Sequence, residues 1–380
     1  MPSRSTPARS TPARPTTARS TTAPAAPAIP APPVLRGRPF RLAVPPVSGV
    51  LRPRLLVTGV LVGVAAFLLF CWGLTLGDYP ISLPDVVRAL TGAGDPGTVI
   101  VVQDLRLPRA LTGLLAGIAF GVSGAVFQTM TRNPLASPDM IGLTEGAGTA
   151  VVAAVVLGWT GGLGLQTLGL LGALATAAVV YALAWRRGAT GYRIILVGIG
   201  VSWICTSATD FLVARGNRFE AQEAVGWLVG NLNGRTWEQV DTLAVAMAVL
   251  LPVTLAMGRW MRTLQLGDDV AAGLGTPVQP VRLALLVTGV GLVAFATAAA
   301  GPVAFVALSA PQIAQRLAAT DSPPPLVSGL TGALVVLGSD LIAREAIPGT
   351  ELPVGIVTSV LGAPVLLWLL IRANRAGSGG

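Results

Sequence analysis

The sequence has no lysine and no histidine, so all 26 of its basic residues are arginine. Without lysine there is no Walker A motif, and the chain cannot cradle ATP phosphates in a P-loop of the usual kind. Any ATP hydrolysis linked to it belongs to another subunit. Without histidine, and with cysteine only at Cys71 and Cys205, it lacks the set of soft ligands that holds a bare transition-metal ion. A metal cargo has to arrive already chelated. Both cysteines lie in apolar runs at a spacing that matches no redox motif, and buried free thiols behave as small hydrophobes. Charge is scarce as well. Only 11% of residues are charged against 52% hydrophobic, and the mean hydropathy of +0.70 excludes an ordinary soluble domain of this length.

What the sequence does have is apolar length. A helix needs about 20 mainly apolar residues to cross the hydrocarbon core, and such stretches recur from Leu55 to Ile371. Length and punctuation predict about ten spans, at 55–76, 110–130, 139–158, 164–185, 192–213, 240–258, 281–300, 303–318, 326–343 and 354–372. The fold class expected is therefore an all-α membrane protein, a polytopic bundle of about ten transmembrane helices. The 46 glycines and 30 prolines fit that reading, because many sit inside apolar runs, where small residues let helices approach closely.

Residues 1–50 differ in kind. They are Pro, Ala, Thr, Ser and Arg, with Arg4, Arg9, Arg14 and Arg19 in a Ser-Thr-Pro-Ala-Arg repeat of five. A five-residue period with proline is not helical. The segment is acid-poor like a transit peptide but lacks the apolar core of a secretory signal, and the expectation is a disordered cytoplasmic tail. Residues 51–375 form the membrane domain, 259–281 its largest inner loop, and 376–380 a flexible end. Nine arginines precede the first span. With that end inside, Arg132, Arg186, Arg187, Arg259, Arg262, Arg282, Arg316, Arg372 and Arg375 also fall on cytoplasmic ends, and both termini are cytoplasmic in a multi-pass protein of the cell membrane. Arg88, Arg106, Arg109, Arg215, Arg218, Arg235 and Arg344 map to the other side and ask for a function.

Two loops carry further local signals. In the outer loop 77–109, Ser82 or Pro84 can open a short surface helix. The inner loop reads as two short helices broken at Gly267 and Gly275.

Four stretches carry more specific information. The first joins Leu105-Arg-Leu-Pro-Arg109 to a helix with Gly117, Gly121, Ser123 and Gly124, and then to Arg132-Asn-Pro-Leu-Ala-Ser-Pro-Asp-Met-Ile-Gly142. The second is Leu266-Gly-Asp-Asp-Val-Ala-Ala-Gly-Leu-Gly275, and the third Ala300-Gly-Pro-Val-Ala-Phe-Val-Ala-Leu-Ser-Ala-Pro-Gln-Ile-Ala314. The fourth pairs Ser339-Asp-Leu-Ile-Ala-Arg344 with Glu351-Leu-Pro-Val-Gly-Ile-Val-Thr-Ser-Val-Leu-Gly-Ala-Pro364. Together they resemble the FecCD-type, or type II, permeases of ABC importers for iron-siderophores and cobalamin, over roughly residues 52–373. The third stretch has Gln312 where that family commonly has histidine, which weakens the transfer of any role for this side chain.

The resemblance implies a transport subunit rather than an enzyme, working by alternating access. Its implied partners are an ABC ATPase dimer that uses ATP and magnesium, an extracytoplasmic substrate-binding (lipo)protein, a second permease, identical or related, and membrane lipid. No nucleic acid and no cofactor of its own are implied. The implied cargo is a ferric siderophore, with cobalamin or haem as alternatives; the absence of histidine disfavours haem. Leu266, Gly267, Asp268, Asp269, Ala272, Gly273, Leu274 and Gly275 would form the ATPase contact, against the alternative of a solvated loop. Arg106, Arg109 and Arg344 would face outward and pair with carboxylates of the binding protein, because guanidinium holds carboxylate bidentately. The alternative is that they snorkel at helix ends or pair internally with Asp104 or Asp340.

Gly191 and Tyr192 align with an inner gate or form an ordinary turn. Glu145 either lines the path or pairs with an arginine, or it simply sits at a helix N-terminus that favours negative charge; Asp210 is equally ambiguous. An ion-coupled secondary transporter would need more mid-membrane acids than Glu145, Asp210 and Asp340 supply. A membrane-embedded enzyme would show paired ionisable groups or a metal motif, and neither occurs.

Overall fold

The computed structural model describes residues 38–42, 47–77, 79–159, 164–184, 191–347 and 349–377. The chain divides at Leu51 into a small N-terminal unit and a helical unit from Arg52 onward.

In the N-terminal unit, β1 (Arg38–Leu42) pairs antiparallel with β2 (Val47–Leu51), in a register that sets Arg38 opposite Leu51 and Leu42 opposite Val47. Residues 1–37 and 43–46 of the expected tail lie outside the described residues; the described part is these two paired strands. Pro39 is compatible with the pairing because both strands of a two-stranded ribbon are edges.

The second unit is helical throughout. Its helices are α1 (Pro53–Thr75), α2 (Leu83–Leu90), α3 (Pro96–Ile100), α4 (Leu107–Thr131) and α5 (Leu143–Val156). They continue with α6 (Gly164–Ala184), α7 (Gly191–Arg215), α8 (Arg218–Leu228), α9 (Trp237–Ala256) and α10 (Gly258–Leu264). The last are α11 (Asp268–Gly273), α12 (Val278–Ala300), α13 (Val306–Ala318), α14 (Pro325–Glu345) and α15 (Val354–Gly377). Seven helices among the described residues are long and apolar enough to span a bilayer, and α5 and the apolar part of α15 are shorter. With the 13-residue α13 they match the ten expected spans. The short surface helix is also present: α2 is capped by Ser82, whose hydroxyl accepts from the Asp85 amide.

α4 runs through the middle of the bundle. Most of its residues are buried, and it packs chiefly against α14 and α12. Such a helix must be thin. A Cβ at Gly121 would lie 2.1 Å from the Ser328 carbonyl oxygen of α14, so the backbones approach as closely as only glycine allows. Polar side chains inside the bundle bond to backbone across helices, as when the Ser123 hydroxyl donates to Gly289 O at 2.7 Å. That leaves few polar atoms unsatisfied in hydrocarbon. Before α4, the chain enters through a π-helical turn, Val101–Arg106. Pro108 has no N–H to return to the Asp104 carbonyl, which favours the wider turn there.

Candidate functional site

α4 starts beside Arg106 and Arg109 and finishes at Arg132, so it defines two ends of the bundle. At the Arg132 end, α10 and α11 form a helical hairpin across the helix termini. Met261, Leu264 and Ala271 are buried against Val126, Val281 and Leu285, which seats the hairpin on α4 and α12. Gly267 separates the two short helices at φ 104°, a backbone region that favours glycine. Asp268 accepts from Arg282 Nη2 on α12 at 2.9 and 3.0 Å and lies 3.9 Å from Arg132 Nη2. The hairpin is thus bolted to two long helices by charge as well as by packing.

The outer surface of this hairpin is apolar. Leu266, Val270 and Leu274 are 59%, 50% and 62% exposed, and Asp269, Ala272, Gly273 and Gly275 are exposed around them. Together Leu266, Val270 and Leu274 form an exposed apolar patch at this end of the bundle. Of the eight expected contact residues, six are exposed. Gly267 and Asp268 are half-buried, and Asp268 is a positioning residue with its carboxylate turned toward Arg282. Val270 was missed, although its spacing of four from Leu274 places the two on one face.

At the opposite end the three expected docking arginines are not outward-facing. Arg106 and Arg109 are each 8% exposed. The Arg106 guanidinium donates to the carbonyls of Leu74, Thr75 and Tyr79, which satisfies acceptors left open at the end of α1. Arg109 donates to Asp340 Oδ1 at 3.0 and 3.2 Å and to Glu351 Oε2 at 2.9 Å. Arg344 holds the other oxygen of Asp340 and donates to Gly73 O at 3.0 Å. The internal pairing with Asp340 that the sequence left open is therefore what the fold uses. These groups tie α1, α4, α14 and the segment before α15 together.

Between the two ends, α7 presents polar groups on its exposed face. Leu196, Ile199, Gly200, Trp203, Ser207, Asp210 and Phe211 form one exposed stripe along it. The exposed face of α1 has only apolar side chains between Leu56 and Phe67. Aspartate and serine on a face turned to hydrocarbon are costly. The opposite side of α7 is held by Thr149 of α5, whose hydroxyl donates to Cys205 O at 3.0 Å and lies 2.9 Å from the Thr209 hydroxyl. Apolar-run reading could not find this stripe, because it counts hydrophobicity without knowing which face has a neighbour.

The remaining expectations resolve unevenly. Gly191 and Tyr192 begin α7, but their side chains and residues 185–190 lie outside the described residues. Glu145 is in the first turn of α5, half-buried, with Oε2 lacking any partner among the described residues. No ion pair with an arginine forms there among the described residues, and a first-turn position favours negative charge. Gln312 donates to Gln128 Oε1 at 2.6 Å, and Gln128 donates to Leu308 O at 3.0 Å; both line a polar cleft of about 310 Å³ beside Arg132.

A bundle with seven helices long and apolar enough to span a bilayer among the described residues, and with Leu266, Val270 and Leu274 bare at one end, is the architecture of a multi-pass membrane protein. The comparisons make the class specific. The profile of the FecCD transport family matches residues 65–372, and this chain belongs to that family of type II ABC importer permeases. It is 38% identical over 322 residues to the ferric enterobactin transport system permease protein FepG of Escherichia coli, covering 85% of this chain and 98% of the relative. It is 35% identical to the probable siderophore transport system permease protein YfhA of Bacillus subtilis, over 83% and 94% of the two chains. To the vitamin B12 import system permease protein BtuC of Citrobacter koseri it is 35% identical, over 73% and 84%. A solved inward-facing structure of an ABC transporter of metal-chelate type superposes with a TM-score of 0.74 at 26% identity, covering 83% of this chain and 99% of that one. A permease of this kind works with an ATPase and a substrate-binding protein.

Proposed function

We propose that the chain carries a ferric siderophore across the cytoplasmic membrane as one of two permease subunits, with its α11 end in the cytoplasm. The observation that carries the reading is the bare apolar surface of α11 fixed to the core through Asp268 and Arg282. An ATPase dimer, fuelled by ATP and magnesium, grips Leu266, Val270 and Leu274. The Asp268 clamp passes its movement to α12 and, through Arg132, to α4. The α7 stripes of two permeases face each other around the path, and Glu145 lies beside its inner end. The chain moves cargo without changing it.

Docking of the substrate-binding protein falls on the end where Arg106, Arg109 and Arg344 are buried. These arginines act by holding the helix ends in position, and the exposed Glu351 beside Arg109 is part of the surface the partner meets. Siderophore relatives match over a larger share of this chain than the vitamin B12 relatives do, which favours the iron chelate.

The test is uptake of a panel of radiolabelled ferric siderophores, with labelled cobalamin alongside, in cells with and without the gene. Loss of one ferric chelate on deletion, restored by the intact gene and not by Leu274→Asp, is the expected result. Loss of cobalamin uptake alone would replace the cargo, and full uptake with Leu274→Asp would remove the coupling role from α11.

A further inference from the structure

The short helix α2 carries a bare apolar face at the end of the bundle away from α11. Successive side chains of a helix turn by about 100°, so Leu83, Val87 and Leu90 fall within an arc of about 60°. They are 54%, 57% and 41% exposed. Val86 and Ala89 lie on the next face and are buried in a cluster with Leu74 of α1, Ile81, Val102 and Ala110 of α4. Asp85 and Arg88 follow on the third face, paired at 3.2 Å with side chains 49% and 68% exposed. That face is roughly opposite the leucines. The core therefore grips α2 from the side, with apolar groups bare on one flank and charges bare on the other.

Depth decides what the apolar flank meets. α1 has 23 residues, a length of about 35 Å at 1.5 Å per residue, against about 30 Å of hydrocarbon. Its ends therefore lie at or near the headgroups. α2 packs beside the end of α1 and not beyond it, because its cluster takes in Leu74 and has Phe70 packed against it. Trp72 and Tyr79 are exposed on either side of the break between the two helices, and they are of the residue types that gather where hydrocarbon meets headgroups. Arg106 ties this link down by donating to the carbonyls of Leu74, Thr75 and Tyr79.

From these three faces and this depth, we infer that α2 is an interfacial helix of the leaflet at the Arg106 end. Leu83, Val87 and Leu90 are sunk in the acyl boundary, and Asp85 and Arg88 stand in water. A helix lying flat in this way buries its apolar side between headgroups and acyl chains. A protein docking from the water side meets the charged flank, and the leucines take the lipid that also covers the apolar outer face of α1. Lying there, α2 holds the end of α1 and the Arg106 start of α4 at a constant depth. The inference stands whatever the cargo is.

The experiment places a nitroxide at Leu83→Cys, Asp85→Cys, Val87→Cys, Arg88→Cys or Leu90→Cys, one at a time. Each is made in the full chain with Cys71→Ser and Cys205→Ser and reconstituted in nanodiscs of phosphatidylcholine and phosphatidylglycerol. Paramagnetic resonance reads collisions with oxygen, which concentrates among acyl chains, and with a water-soluble nickel chelate. Oxygen is expected to dominate at the Leu83, Val87 and Leu90 positions and the chelate at the Asp85 and Arg88 positions, a reversal of the ratio within one helix. Added substrate-binding protein should leave the three apolar positions unchanged. Chelate access at all five positions would overturn the inference, because the leucines would then face water. So would protection of the Leu83, Val87 and Leu90 positions by the binding protein, which would make them a protein contact. Oxygen dominance at all five would also overturn it, by sinking the whole helix in hydrocarbon. Unaltered melting temperatures check that the labels leave the helix in place, and each flank is read from more than one position.

Discussion

Asp340 accepts from Arg109 and Arg344 together, and its side chain is 4% exposed, with the two arginine side chains at 10% and 7%. Removing one partner of a buried ion pair leaves an uncompensated charge, and here it would leave two guanidinium groups facing each other. Asp340→Ala is therefore expected to destabilise the bundle by about 3–5 kcal/mol, read as a lowered melting temperature in detergent. Glu351 is 47% exposed, and Glu351→Gln is expected to cost no more than about 1 kcal/mol. Equal effects of the two substitutions would show that Asp340 is not the hub. None of this was settled by the sequence. It placed Arg106, Arg109 and Arg344 at helix ends and named Asp340 as one internal alternative. The partner of Arg109 lies 231 positions away, and charge placement alone does not reveal which side chains meet.

At the scale of elements, apolar run length found the spans because burying backbone in hydrocarbon permits little besides helix. Even α13 was legible in spite of Pro311 inside it, as an apolar stretch between punctuated ends. The breaks around α11 were legible too, through Gly267 and Gly275. What the one-dimensional pattern could not separate was the two neighbouring acids, since Asp268 turns inward to Arg282 and Asp269 is exposed. Their substitutions should therefore behave differently. Asp268→Ala leaves Arg282, with a side chain 6% exposed, short of its carboxylate, and should loosen the hairpin. The expectation is a melting temperature lowered by the loss of a charged hydrogen bond, worth about 1.5–3 kcal/mol at most, with uptake reduced as well. Asp269→Ala should leave melting unchanged and act only on co-purification with the ATPase. If both variants melt normally, the Asp268 clamp is not what holds α11 in place.

At the scale of the whole molecule, the α7 stripe separates a transport path from a lipid-facing helix, and Gly200 offers a clean way to tell them apart. A Cβ added there meets nothing within 4 Å, and the position is exposed, so Gly200→Trp can turn its ring away from this subunit's core. If the stripe faces lipid, a tryptophan at this position is tolerated, as the half-exposed Trp72 already is, and uptake stays at the level of the unmodified protein. If two permeases line a path between their α7 helices, the same indole intrudes from each copy, or from this one alone when the partner is a different chain. The expected outcome is normal insertion and melting with uptake reduced by an order of magnitude or more, because an overpacked interface costs about 1–3 kcal/mol. Asp210→Leu adds a second arm. On a lipid face it would stabilise the protein by removing an exposed charge, and in a path it would lower transport without raising the melting temperature. Gly200→Trp with unchanged uptake and a stabilised Asp210→Leu would place α7 against lipid and move the path elsewhere in the bundle.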